Sequence, residues 1–487
     1  MSRLLARESR QQVGSRRIDR RSDGRFDMNL RVNVDEAILA SRANEAAINE
    51  ASGVNREKAP SYSRQPSMAF GTQSDTSDRG VNDMEQQDWT DKKVNEKPPI
   101  DKTLSLSIKP KVSDKPSAFA TKVYTAGHLI FFSFFGVLAR LGLQALTFYP
   151  GAPAVFTVLW ANFTGTIIMG YLMEDTQLFR EEWGTPTYAN AVEYARRSND
   201  EDSTADIAAA KKAHGATKKT IPLYVGLATG FCGSFTSFSS FIRDCFLALS
   251  NDLPTPLDHP SDFSANGTAL VATTTTVDRN AGFSILAISA VIIITLALCV
   301  RALYIGIAAA ELTHPYSPSL SFHFTHNFIN PFIVFLGLVT WIIVVVLAIF
   351  PPHPEWRGIG LFALVFAPLG CLTRFYVSLY LNPWFAKFPF GTFAVNILGT
   401  AILGVAFTVQ HSANSSVIGC QVSQGIMDGF CGALTTISTW IVELTTLKKG
   451  PAYIYGSMSI GVALAMLIAI MGSVRWTVGF SDIKCVH

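Results

Sequence analysis

Long apolar segments separated by short polar ones make up the chain after a polar stretch of about 120 residues. A run of about 18 or more apolar residues is long enough to cross a bilayer as a helix. Nine segments meet this criterion, and they lack the polar face at helical period that a soluble helix shows. The pattern predicts an all-α polytopic membrane protein. The predicted helices occupy residues 125–148, 153–173, 221–249, 282–309, 331–351, 358–381, 389–409, 419–447 and 452–474.

The polar stretch, residues 1–120, is rich in Ser, Arg, Asp and Asn. It contains too little apolar surface to offset the entropy of ordering, which predicts a disordered N-terminal tail. No apolar signal-peptide core follows the N-terminus. The net charge of +3 for the whole chain says little about function, whereas the placement of the charges predicts orientation.

Basic residues favour cytoplasmic loops. The loop at 174–220 is rich in Lys and Arg, whereas the loop at 250–281 has one basic residue and a glycosylation sequon at Asn266. A second sequon, at Asn414, lies in a loop without Lys or Arg. Nine helices place each loop on its favoured side when the N-terminus is cytoplasmic and the C-terminus is outside.

The chain contains an internal repeat. Arg140 and Arg374 are 234 residues apart, as are Asn162 and Asn396. The fifth helix has no counterpart, and an odd linker helix between two four-helix units inverts the second unit. Inverted repeats tend to bind their substrate at the repeat interface near the midplane. The predicted units are a tail at 1–120, a first four-helix repeat at 121–310, a linker with the fifth helix at 311–356 and a second, inverted repeat at 357–487.

The same string recurs in the third helix of each repeat. It reads GFCGSFTSFSSF at Gly230–Phe241 and GFCGALTTISTW at Gly429–Trp440. Glycine weakens a helix and hydroxyls can satisfy freed backbone groups, so the string predicts a helix break in mid-membrane. Freed carbonyls would suit a cation, and half-helix N-termini would suit an anion. The alternative is close packing of helices through small residues.

Asn162 and Asn396 lie in apolar runs, where a polar side chain faces protein or water. Arg140 and Arg374 either extend to the membrane surface or have a role in the site. Hydroxyls, amides and aromatic edges are donors, and with few formal charges they favour a small anion. The seven cysteines show no paired framework or metal spacing, and Cys232 and Cys431 are expected to be packing residues. No nucleophile–base pair or phosphate loop is present, so we expect no enzymatic activity and no nucleic-acid partner.

The combined motifs resemble those of the Fluc/FEX fluoride channels. GTFAVNILGTAILG at Gly391–Gly404 resembles their second-helix motif, and the repeated string resembles their third-helix motif. The resemblance covers about 120–475. It implies antiparallel four-helix units, fused here by one extra helix, and therefore a functional monomer. The fluoride pore residues implied by the resemblance are Phe238, Phe241, Trp440, Asn162, Asn396, Ser239, Ser240, Ser438 and Thr439.

The resemblance also implies a structural sodium ion, held by backbone carbonyls, and no organic cofactor. The implied sodium ligands are Gly233, Thr236, Gly432 and Thr435. The family's first-helix arginine maps to Arg140 and Arg374. Its acidic residue maps to Glu443, with Asp244 in the first repeat.

The chain departs from the family where the second repeat has Ile437 and Trp440 in place of two phenylalanines. In symmetric members each pore takes one phenylalanine from each unit. The departure predicts two unequal pores, and the pore that pairs Phe238 with Trp440 retains two aromatic edges. We expect that pore to conduct.

The resemblance implies a passive channel that exports cytoplasmic fluoride and confers fluoride resistance, with the plasma membrane as its natural location. Its partners would be fluoride and the lipid bilayer. An ion-coupled transporter of a small metabolite is the first alternative, and it predicts a buried carboxylate in mid-membrane. A scaffold or receptor that works through its tail is the second alternative.

Overall fold

The computed structural model describes residues 117–147, 149, 154, 156, 158–198, 203–253 and 280–485. Within these ranges the chain is helical and contains no strand. Nearly all of the predicted disordered tail and the sequon at Asn266 lie outside the described residues. The helices in chain order are α1 Ala118–Thr147, α2 Leu159–Glu174, α3 Thr187–Ser198, α4 Ser203–Lys218, α5 Pro222–Ser250, α6 Ala281–Thr313, α7 Phe322–Ile349, α8 Arg357–Trp384, α9 Phe390–Gln410, α10 Val417–Thr446 and α11 Lys449–Arg475.

Eight of the described helices are long and apolar enough to cross a membrane. The other predicted span, residues 153–173, contains α2, which has 16 residues and packs against α6. The prediction of an all-α polytopic membrane protein is therefore confirmed. The sequence pattern did not predict α3 and α4, which form a polar helical pair inside the basic loop.

Lys218 joins this helical pair to the bundle. Its ammonium group donates to the carbonyls of Leu172 at 3.0 Å, Met173 at 2.9 Å and Asp175 at 2.5 Å. These carbonyls lie at the end of α2, where a cation is favourable for the helix dipole. Burial lowers the pKa of Lys218 to about 8. The loop therefore caps a membrane helix with a buried cation.

The two broken helices, α5 and α10, lie at the centre of the bundle and are its most buried spans. Each packs against the first helix of its own repeat, α1 and α8 respectively, and α1 and α8 also contact each other. The unmatched helix α7 packs on α1. Its outer surface carries Phe335 and Ile342, each 64% exposed, as expected for a helix that faces lipid.

One expectation about the cysteines is wrong. Cys420, in the first turns of α10, forms a disulfide with Cys485, near the C-terminus. The two residues are 65 positions apart, and no local pattern reveals the pairing. The other five cysteines are buried and unpaired, in agreement with a packing role for Cys232 and Cys431.

Candidate functional site

Each central helix breaks at its threonine. Thr236 has ψ 150° and Thr435 has ψ 154°, whereas their neighbours on the N-terminal side are helical. A new helical segment then begins at Phe238 in the first repeat and at Ser438 in the second. The string therefore forms the predicted mid-helix break in both copies, rather than a continuous close-packed helix.

Two asparagines hold the breaks open. The Oδ1 atom of Asn162 accepts from the amide of Ser237 at 2.8 Å, and its Nδ2 donates to the Ser237 carbonyl at 3.4 Å. Asn396 makes the same two bonds with Thr436, at 3.0 and 3.3 Å. In an unbroken helix these amides would donate to the carbonyls four residues earlier. The asparagine side chains thus replace helical hydrogen bonds, which explains why a polar residue lies in each apolar second helix.

The two breaks contact each other reciprocally. The hydroxyl of Thr236 accepts from the amide of Ser438 at 3.2 Å, and the hydroxyl of Thr435 accepts from the amide of Ser239 at 3.1 Å. Thr236 and Thr435 occupy matching positions in the string, as do Ser239 and Ser438. Each break therefore donates an amide to the threonine of the other, at equivalent positions of the string.

The two first-helix arginines make the same kind of exchange. Arg140 is 1% exposed, and its guanidinium donates to the carbonyls of Ser234 at 2.7 Å and Gly432 at 2.9 Å, and also to that of Asp428. Arg374 is 3% exposed and donates to the Thr229 carbonyl at 2.5 Å. Extension to the membrane surface, one of the two interpretations, does not occur. Each arginine crosses to the other repeat.

Two glycines make room for these guanidinium groups. A Cβ atom built on Gly233 would lie 2.4 Å from Nη2 of Arg374, and one built on Gly432 would lie 2.2 Å from Nη2 of Arg140. Real Cβ contacts are not this short, so any other residue would displace the arginine. In the described part of the chain, neither arginine forms a salt bridge with a carboxylate. The centre of the protein therefore holds two buried guanidinium groups, whose hydrogen bonds go to backbone carbonyls and, for Arg374, also to the Cys371 sulfur.

Three aromatic residues of the string, Phe238, Phe241 and Trp440, are fully buried beside the breaks. The rings of Phe238 and Trp440 have centroids 5.2 Å apart at an interplanar angle of 69°. Phe238 also lies 5.9 Å from Phe241. Ile437 occupies the same cluster and provides no ring. The structure thus brings together Phe238 and Trp440, which were predicted to form one pair.

The hydroxyl residues after each break differ in their contacts. Ser239 lies 3.0 Å from the Thr435 hydroxyl, whereas Ser240 accepts from the Ser237 hydroxyl at 2.9 Å. Ser438 lies 3.1 Å from the Thr236 hydroxyl. The amide of Thr439 donates to the Thr436 hydroxyl at 3.5 Å. Thr439 therefore lies in the first turn of the helical segment that begins at Ser438.

The matching acidic positions have unlike surroundings. Glu443 accepts from the hydroxyls of Thr392 at 2.6 Å and Tyr455 at 2.7 Å. Asp244 instead forms a salt bridge with the neighbouring Arg243 at 3.2 Å. Thr392 and Tyr455 were not predicted as site residues. The only sequence signal for them was a hydroxyl group within a predominantly apolar segment. The two repeats therefore differ at their acidic residues as well as at their aromatic ones.

The fold and the site define a helical membrane protein with a duplicated core and two polar breaks at its centre. Comparison with known proteins supports this description of a membrane protein with a duplicated core. The chain matches the family model described as CrcB-like protein, Camphor Resistance (CrcB), over residues 128–257 and 361–473. The first match covers α1, α2 and α5 of the first repeat and ends before α6, and the second covers most of the second repeat.

Three relatives illustrate the similarity. Fluoride export protein 1 of Neurospora crassa is 50% identical over 388 residues, which cover 76% of this chain and 70% of the relative. Fluoride export protein 1 of Candida albicans is 31% identical over 71% of this chain and 78% of the relative. The fluoride-specific ion channel FluC of Chlorobium chlorochromatii is 33% identical over 23% of this chain and 88% of its own. No solved structure matches.

The chain belongs to the CrcB-like family, whose model matches it in two separate ranges.

Proposed function

We propose that the protein is a fluoride-selective passive channel that exports cytoplasmic fluoride and so confers fluoride resistance. The observation that carries the proposal is the 50% identity to a fluoride export protein over most of both chains. The bacterial relative named as a fluoride-specific ion channel corresponds to about one repeat. We therefore propose that the two repeats act as the two halves of one channel, inverted relative to each other, within a single polypeptide.

The charges of the site favour an anion. Arg140 and Arg374 are buried near the two breaks and are bound to carbonyls, not carboxylates. Their potential attracts a negative ion, while their hydrogen bonds hold them in place so that they do not bind and trap it. Conduction requires binding that is strong enough for entry and weak enough for exit.

Fluoride is small and strongly hydrated, so the protein must replace its water with other donors. We propose that Ser239, Ser240, Ser438 and Thr439 and the amides of Asn162 and Asn396 contribute them along the pores. The aromatic edges of Phe238, Phe241 and Trp440 would provide a positive rim without a formal charge. A negative-inside potential drives an anion outward with roughly 2.3 kcal/mol per 100 mV, so export needs no ATP.

We propose that the two pores are unequal and that the pore of Phe238 and Trp440 conducts. Its aromatic pair is in edge contact and retains two aromatic edges. The other pore would pair Phe241 with Ile437, whose aliphatic side chain provides no such edge.

The backbone at the breaks suits a structural sodium ion. The amides of Ser237 and Thr436 donate to asparagines rather than to the carbonyls of Gly233 and Gly432, and the Gly432 carbonyl also accepts from Arg140. Carbonyl oxygens are hard ligands of the kind that alkali cations use. We propose that Gly233, Thr236, Gly432 and Thr435 hold the ion and that it ties the two breaks together.

The orientation follows from charge and redox chemistry. We propose that the N-terminus is cytoplasmic and that the protein lies in the plasma membrane as a monomer. The Cys420–Cys485 disulfide supports an outside C-terminus, because disulfides persist in oxidising compartments. Asn414, exposed in the turn before α10, would face the same side.

An ion-coupled metabolite transporter is not favoured. The transporter requires a carboxylate in mid-membrane, whereas Asp244 and Glu443 lie toward the ends of α5 and α10, and Asp428 precedes the break. Growth tests the proposal: cells without fluoride exporters should regain growth in millimolar fluoride when they express the chain. Failure to regain growth, with the protein in the surface membrane, would contradict it. Rescue by residues 119–487 alone would exclude a scaffold that works through its tail.

A further inference from the structure

We infer that the indole N–H of Trp440 donates a hydrogen bond directly to fluoride as the ion passes the aromatic pair. The inference rests on the proposed function and adds a specific donor to it. At the matching position the first repeat has Phe241, which has no such group. The site would therefore hold one polar aromatic ligand, in one of the two pores.

The indole nitrogen has an unmet hydrogen-bonding capacity. Trp440 is fully buried, and its Nε1 atom has no hydrogen-bond partner in the described residues. An indole nitrogen can only donate, and buried tryptophans usually find an acceptor for it. The hydroxyls of Thr236, Ser239 and Ser438 bond across the breaks, and none of them accepts from the indole. An unpaired donor at this place calls for an acceptor that is not part of the protein.

The acceptor is not the nearest acidic residue. Glu443 is one turn after Trp440 in the same helix segment, but its carboxylate already accepts from Thr392 and Tyr455. Neither of its oxygens takes a hydrogen bond from the indole. The donor therefore remains free for an ion that moves between the aromatic pair and the end of α10.

The indole is held in a defined orientation. Phe238 packs against it in a tilted edge arrangement, with centroids 5.2 Å apart. On its other side is α11, where a Cβ atom on Gly456 would lie 4.0 Å from Cζ2 of the indole. Because the indole ring is packed against both neighbours, the position and direction of its N–H group are fixed. Preorganisation of this kind lowers the entropic cost of each binding event.

The N–H group would favour fluoride over chloride. Hydrogen bonds to a charged acceptor are about twice as strong as neutral ones. Coulomb attraction falls with distance, so the smaller ion gains more from a short contact. A C–H edge of phenylalanine is a weaker donor than N–H. The tryptophan thus strengthens fluoride recognition in the pore that contains it.

The test uses the full-length protein and an isosteric change. Replacing Trp440 with benzothienylalanine exchanges N–H for sulfur and preserves the ring shape. We expect fluoride efflux from liposomes to fall by about tenfold or more, since a bond to a charged group is lost. The same replacement at Trp384, which is 65% exposed in the described chain, is the control and should leave the flux unchanged.

A binding measurement on the natural protein complements the flux. In protein labelled with ¹⁵N-tryptophan, the resonance that W440F removes belongs to the Trp440 indole. We expect sodium fluoride, but not sodium chloride, to move it downfield. An unmoved resonance, or full flux in the sulfur variant while the natural protein conducts, would overturn the inference. Absence of fluoride flux in the natural protein would instead overturn the proposed function itself.

Discussion

The hydroxyl of Thr236 accepts a hydrogen bond from the backbone amide of Ser438, across the boundary between the two repeats. The same hydroxyl lies 3.3 Å from the amide of Ile437 and accepts from it as well. A single side chain from the first repeat thus satisfies two amides at the start of a helical segment in the second. The break in one repeat is completed by the other, so neither repeat forms its site alone.

Removing this hydroxyl tests the dependence of the breaks on each other. Thr236→Val retains the shape of the side chain and leaves buried amides without an acceptor. We expect it to lower the free energy of unfolding by about 1–3 kcal/mol, measured as a reduced melting temperature in detergent. Thr446→Val removes an exposed hydroxyl from the same bundle and should have little effect. An unchanged melting temperature for Thr236→Val would show that the contact is not needed.

The glycine beside Arg140 gives a second prediction. Gly432→Ala places a Cβ atom against the guanidinium and must displace it from its carbonyls. We expect a lower melting temperature and loss of fluoride flux. Gly461→Ala is a matched control, since no atom lies within 4 Å of a Cβ atom at that membrane position. Equal behaviour of the two variants would contradict the packing role assigned to Gly432.

The inequality of the pores predicts different effects of two similar substitutions. Phe238→Ile removes the edge contact with Trp440 and should abolish most fluoride flux. Phe241→Ile affects the pore that already contains Ile437, so flux should persist. Both proteins should be compared at equal amounts of monodisperse material. Intact flux with Phe238→Ile and lost flux with Phe241→Ile would assign conduction to the other pore.

The disulfide predicts a simple count. Of the seven cysteines, two are paired and five are free. Alkylation of the protein unfolded without reductant should therefore add five maleimide groups, and prior reduction should raise the number to seven. Seven groups without reduction would exclude the Cys420–Cys485 bond. A count of five would also support the proposed orientation. The bond persists in an oxidising compartment, so the start of α10 and the C-terminal segment would both lie on that side of the membrane.

The architecture was predictable because it is determined by long apolar runs and by a repeated string. Lipid cannot satisfy exposed backbone groups, so each run had to become a helix. The breaks at Thr236 and Thr435 were predictable because glycine and hydroxyl residues recur there in register. The apolar runs and the repeated string each determine the structure of a single helix, so both can be identified from the sequence alone.

The contacts between distant residues were not predictable. Arg140 could extend to the membrane surface or turn inward, and only the packing of α10 against α1 decides between these. A pore role or an interhelical hydrogen bond was expected for Asn162, but the sequence did not reveal that its amide bonds the Ser237 backbone. The Cys420–Cys485 bond likewise depends on where the C-terminal segment returns to the bundle. The helical pair α3 and α4 was missed because a polar loop has no apolar period.

Fluoride efflux from liposomes tests the central claim most directly. The purified chain is reconstituted, the voltage is clamped with an ionophore, and release of fluoride is compared with release of chloride. Rapid passive fluoride release with little chloride release, reduced in Gly432→Ala and retained in Gly461→Ala, is the predicted result. Folded protein that releases no fluoride, or that releases both anions equally, would contradict a fluoride-selective channel.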